Sequence, residues 1–435
     1  MTIPNDDAYA QLDAWVDAHF DEEVSFLQSL VRVPTDTPPG LNAPHAHRTA
    51  ELLAAFGFDP ELHAVPEARV REYGLQSLTN LVVRRAYGDA AGTRVIGLNA
   101  HGDVVPPGED WTHDPYGGEI VKGQLYGRAS AVSKSDFATY VFATRAIETL
   151  RDRLVGGVEL YFTYDEEFGG TLGPGWLLEQ GLAHCDLLIA AGFSYQVVTA
   201  HSGCLQLEVT VHGRMGHAAV PDTAIDALQG AVAILNALYA RNLAYKQVTS
   251  SVAGIVHPYI NVGRIEGGTN TNVVPGTVVL KLDRRMIPEE DPAAVEQEIR
   301  DTIAQAAAAR AGIRVDLKRL LLAHPLKPLA GNAPLVDAIT RHATEVFGEP
   351  IPVCGTPLYT DARLFSVRGI PAVIYGAGPR TVLESNAKRA DEHLDLDDLR
   401  RATMVVARTL FELLVCGAQS RSKRESLQSI ANASC

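Results

Sequence analysis

The chain lacks the marks of three large protein classes. No run approaches the roughly 18 consecutive apolar residues that span a bilayer, so no membrane helix is expected. Basic charge is scarce, with 38 Lys and Arg against 52 Asp and Glu and a net charge of −14. A protein that gains affinity by neutralising phosphates needs the opposite balance, which argues against nucleic acid as a partner. Cysteine is sparse too: Cys185, Cys204, Cys354, Cys416 and Cys435 are scattered and odd in number, with neither a disulfide framework nor paired metal-ligand spacing. Met1 to Asp7 carries no positive region followed by an apolar core. A cytoplasmic protein with reduced thiols is therefore expected. What remains is an ordinary globular composition, 46% apolar over 435 residues, long enough for two domains.

Up to about residue 200, buried-looking strands alternate with helices. Arg94–Ala100, Val158–Thr163 and Asp186–Ala191 read as strands, and Phe137, Val141, Thr144, Ile147 and Leu150 recur at helical spacing within 135–150. This is the grammar of an α/β fold with a mostly parallel sheet. The middle third reads as strand 205–211, helix 224–240, strands 259–265 and 277–283, helix 292–311 and strand 313–321. That β-α-β-β-α-β order matches a ferredoxin-like unit. Strand 370–375 and helix 396–414 resume the first grammar. The expected organisation is a catalytic domain formed by 1–202 and 323–418, an inserted domain over 203–322, and a polar tail over 419–435.

The strand 158–163 ends abruptly in Asp165-Glu166-Glu167 followed by glycines, and the strand ending at Ala100 runs into His101-Gly102-Asp103. Open α/β sheets bind ligands beyond the carboxyl ends of their strands. Adjacent carboxylates permit a division of labour, one on a metal and one on a proton, although a solvated acid cluster would look the same. An Asp two residues from a ligating His fixes its tautomer. His393, in Asp391-Glu392-His393 before the last helix, is a further ligand candidate.

Together these segments resemble the M20 family of metallohydrolases, which includes carboxypeptidases, desuccinylases, deacetylases and aminoacylases. The resemblance runs through His101-Gly-Asp103, Trp111 to Gly118, Leu125-Tyr-Gly-Arg128, Asp165-Glu-Glu167, Gly213-Arg-Met-Gly-His217, Gly267 to Pro275, Thr360-Asp-Ala-Arg363 and His393. It implies that His101, Glu167 and His393 bind metal, Asp103 supports His101, and Glu166 is the general base. His217, on an inserted dimerisation or lid domain, resembles a residue that reaches across a dimer to an oxyanion, which makes a homodimer or larger homo-oligomer the expectation. Asn272 and Arg285 resemble groups that hold a substrate carboxylate, and Gly376 opens a loop of backbone N–H groups. A turn histidine, a solvated strand end and an ordinary turn are the plain alternatives for His217, Arg285 and Gly376.

Two departures from the family pattern matter. Val132 stands where relatives carry an aspartate that bridges two metals, and Phe193 lies where they carry a second-metal acid. Asp136, four residues on, is a substitute ligand or simply a helix N-terminal acid. Two divalent cations about 4 Å apart repel by roughly 17 kcal/mol at an effective dielectric of about 20. Loss of two anions therefore favours one divalent transition metal, with Mn, Zn, Co and Fe all suited to these donors. The expected activity is metal-dependent hydrolysis of a C–N bond in a small carboxylate-bearing substrate. Hydrolytic deamination of an aromatic amine such as 5-nitroanthranilate fits Phe193. The alternatives are an N-acyl amino acid amidohydrolase or metallocarboxypeptidase with two metals, and a non-catalytic carboxylate-binding homologue.

Overall fold

A computed structural model describes residues 6–88 and 93–415. The tail expected over 419–435, Cys416 and Cys435 lie outside the described residues. No disulfide joins Cys185, Cys204 and Cys354. Among the described residues no helix is long and apolar enough to cross a membrane.

The chain divides into two compact units. The first comprises the chain up to Thr199, Pro328–Val353 and the chain from Leu364 onward. Seven strands of its sheet lie in the order Pro60–Ala64, Thr79–Tyr87, Gly156–Thr163, Val95–His101, Leu187–Ala190, Ala372–Ile374 and Val197–His201. The four strands from Gly156–Thr163 to Ala372–Ile374 pair in parallel, while Thr79–Tyr87 and Val197–His201 pair with them antiparallel. All eight residues of Gly156–Thr163 and all four of Leu187–Ala190 are buried, as strands covered on both faces must be. The helix Lys134–Glu148 crosses between two parallel neighbours and packs on both. Leu396–Leu414 packs on that helix in turn; it starts where the Asp395 carboxylate accepts the Asp397 amide at 2.9 Å.

The second unit spans Ala200–Lys327 and Cys354–Arg363. Its four antiparallel strands lie in the order Tyr259–Gly267, Thr277–Met286, Gly203–His212 and Arg314–Ala323, the split β-α-β arrangement. Buried and half-exposed residues alternate along Gly203–His212 and Thr277–Met286. Their buried side joins Ile234 and Leu238 of the helix Ala227–Tyr245 and Ile299 and Ile303 of Pro292–Ala308 in one core. The first of these helices begins at Ala227, three residues later than its apolar run suggests, because Asp226 caps it through the amides of Leu228 and Gln229. Segment 354–363 differs from expectation: its contacts place it with this unit, where the Gly355 amide donates to the Ala253 carbonyl at 2.7 Å.

Candidate active site

Register brings the two chemical motifs together. His101 ends one central strand and sits opposite Thr163 at the end of its parallel neighbour, so His101-Gly102-Asp103 and Asp165-Glu166-Glu167 emerge at the same sheet edge. Gly102 is required there, since a Cβ would lie 2.5 Å from the ring of buried Tyr164. After Tyr164 the chain turns through a short 3-10 segment, Glu166–Phe168, closed by Gly169 at φ 97°. Asp103 clamps that turn: its two carboxylate oxygens accept the amides of Glu166 at 3.2 Å and Glu167 at 3.0 Å. Asp103 also faces the imidazole, with the His101 Nδ1 3.0 Å from its carbonyl and 3.3 Å from Oδ1. The other nitrogen, Nε2, is 4.0 Å from Glu166 Oε2. Burial works against an imidazolium at His101, yet the hydrogen bond it donates to Asp103 and the charges of Glu166, Asp103 and Glu167 outweigh it and push the pKa up to about 10. The site carries an excess of negative charge that calls for a cation.

A residue to which sequence reasoning gave no role supplies one. Lys388 Nζ donates to Glu167 Oε2 at 2.7 Å, and against desolvation the charges of Glu167 and Glu166 raise its pKa. Its loop is anchored by Glu392, buried with Arg128 at 2.6 Å, whose carboxylate also accepts the Lys388 amide at 3.3 Å. The local signal was faint, a Lys-Arg step just before Asp391.

Four expected ligands or binding groups sit differently. His393 is not gathered with His101 and Glu167: among the described residues no three His, Cys, Asp or Glu side chains form a group able to hold a metal ion. Its Nδ1 donates to the Asp391 carbonyl at 2.9 Å, its ring lies 5.1 Å from Tyr126, and it lines a cavity of about 260 Å³ with Asp395, Asp397 and Asp398. Asp136 is wholly buried and accepts the Ala377 amide at 2.8 Å. Burial pushes its carboxyl up to about 7, although the Ala377 amide and the nearby His101 charge favour ionisation. The loop opened by Gly376 offers no spare donors, because the amides of Gly376, Ala377 and Gly378 go to Phe193, Asp136 and Gly192. A side chain at Gly376 is excluded, since its Cβ would fall on Asp136 Oδ1. Phe193 is buried and its backbone pairs with Gly378.

In the second unit His217 is exposed, and its Nδ1 accepts the Ala219 amide at 3.0 Å. The carbonyl of exposed Asn272 accepts the Ala218 amide. Arg285 donates from Nε to Asp283 at 2.7 Å. Its guanidinium and that of Arg363 both lie over Tyr359, at 5.8 and 5.3 Å.

A divalent cation at this edge would meet few protein donors among the described residues. Asp103 turns His101 so that Nε2 is its outward donor, and Lys388 engages only one oxygen of Glu167. Val132 and Phe193 add no anion, and Asp136 Oδ1 is already occupied. Water or substrate would have to complete the coordination.

An α/β sheet with an inserted ferredoxin-like unit, and an imidazole and acid pair at the sheet's carboxyl edge, define a hydrolase of the metallopeptidase type. The profile of peptidase family M20/M25/M40 matches residues 97–412, and the chain belongs to that family, whose members are hydrolases of C–N bonds. It is similar to a succinyl-diaminopimelate desuccinylase of Methylorubrum populi, 28% identical over 399 residues that cover 89% of this chain and 97% of that protein. Its fold is similar to that of an M20 family metallo-carboxypeptidase from Sulfolobus solfataricus, with TM-score 0.73, 18% identity and coverage of 89% and 98%. A dinuclear metal binding M20 peptidase of Bacillus subtilis gives TM-score 0.65 at 15% identity, with coverage of 92% and 99%.

Proposed function

We propose that this chain hydrolyses an amide C–N bond of a small carboxylate-bearing substrate, with Glu166 moving the proton and one divalent cation held by His101 and Glu167. The observation that carries this reading is the Asp103 clamp, which holds an oriented imidazole and both glutamate amides in one hydrogen-bonded group. A cation bound there polarises a carbonyl and makes water a better nucleophile. Glu166 accepts a proton from water as its oxygen attacks the carbonyl carbon. It returns that proton to the nitrogen as the C–N bond breaks, leaving a carboxylate and an amine. Asp103 keeps the imidazole in one orientation throughout. Similarity to the desuccinylases supports an N-acyl amino acid as substrate. The exposed apolar side chains Leu228, Val232, Tyr239 and Leu243 on one helix support the homo-oligomer in which His217 would act.

A second reading, hydrolytic deamination of an aromatic amine such as 5-nitroanthranilate, draws support from Phe193, a buried ring just after the strand Leu187–Ala190. Purified protein supplied in turn with Mn, Zn, Co and Fe distinguishes the two. Amine release from N-succinyl and other N-acyl amino acids supports the first, and ammonia release from 5-nitroanthranilate alone supports the second. Folded, metal-loaded protein that releases neither overturns both.

A further inference from the structure

We infer that Lys388 is a built-in cation: its ammonium fills the charge position a second metal would take beside Glu167 and limits the chain to one metal ion. This rests on the single-cation reading above and extends it to a residue that reading does not need. Lys388 Nζ is 2.7 Å from Glu167 Oε2, and Asp103, Glu166 and Glu167 all lie within its field. Three carboxylates are balanced by one divalent ion and one ammonium. A second divalent ion would over-compensate them, and Val132 and Phe193 bring no anion to restore the balance.

A surface ion pair of no consequence is the competing explanation, because the Lys388 side chain is 58% exposed and such pairs contribute little. The loop argues for more than that. Asn386, Lys388 and Asp391 all adopt positive φ, at 52°, 63° and 54°, where residues other than glycine are uncommon. The shape is held from inside by the buried Arg128 and Glu392 pair, so a solvent-exposed lysine is presented from a tightly specified backbone. Glu167, its partner, is itself only 12% exposed.

The test is metal binding to the full chain, read by elemental analysis and competition titration with Zn(II) and Mn(II). Wild type, Lys388→Met and Lys388→Arg are compared, with melting curves to establish folding. Wild type and Lys388→Arg should bind no more than one ion, with similar affinity. Lys388→Met should bind at least roughly tenfold more tightly, since a fixed like charge beside the ion is gone. If Lys388→Met misfolds, Lys388→Gln carries the comparison. Equal binding by all three proteins, or two ions in wild type, overturns the inference. Loss of turnover with these binding differences intact would count against the proposed reaction instead.

Discussion

Glu166→Gln is expected to reduce kcat by about a hundred- to ten-thousand-fold, the range over which positioned acid–base groups act. The amide is close in size to the carboxylate and keeps the backbone N–H that Asp103 accepts at 3.2 Å. It cannot take a proton from water. The melting temperature and metal affinity should stay near wild type, and KM should change far less than kcat, because the lost interaction belongs to the transition state. Steady-state kinetics with the best substrate from the acylated panel give the answer. Activity within a few-fold of wild type would remove Glu166 from the chemistry and return the acid pair to a structural role.

The largest effect on stability is expected at Glu392. Arg128 and Glu392 are each about 2% exposed and 2.6 Å apart. Burial raises the Glu392 pKa, and the Arg128 charge pulls it back. Removing one partner leaves an unpaired buried charge, which costs about 3–5 kcal/mol. Glu392→Ala should therefore lower the midpoint of urea unfolding sharply. Replacing both partners with apolar residues, as in Arg128→Met with Glu392→Leu, should recover much of the loss, because no orphaned charge remains. Additive losses in the double variant would show that the pair acts through packing instead. Arg128 also lies over the Trp111 ring at 5.1 Å and donates to the Pro107 carbonyl, so part of its effect is shared with that loop.

The sheet edge was legible because its signals are local. An apolar run that stops at Asp165-Glu166-Glu167 and a strand that runs into His101-Gly102-Asp103 mark two strand ends by composition alone, and parallel pairing then places them side by side. The α/β class and the β-α-β-β-α-β order follow from periodicity in the same way. What stayed hidden depends on long-range accounting. Gly376, Ala377 and Gly378 looked like available donors, but their amides are consumed by partners about 180 to 240 positions away in sequence. Lys388 is 221 positions from Glu167, and no spacing rule links a surface lysine to a buried-edge carboxylate. His393, sharing its loop with Lys388, drew attention because imidazole is the commoner ligand. The return of 354–363 to the second unit was likewise invisible, since a strand-like segment carries no mark of which body it joins.

The central claim, one cation serving the Glu166 and Glu167 pair, is tested most directly by titrating metal-stripped protein while recording bound metal and C–N hydrolysis together. The account predicts that turnover rises with metal and saturates at one ion per chain. Saturation only at two ions, or full turnover in thoroughly chelated protein, would contradict it.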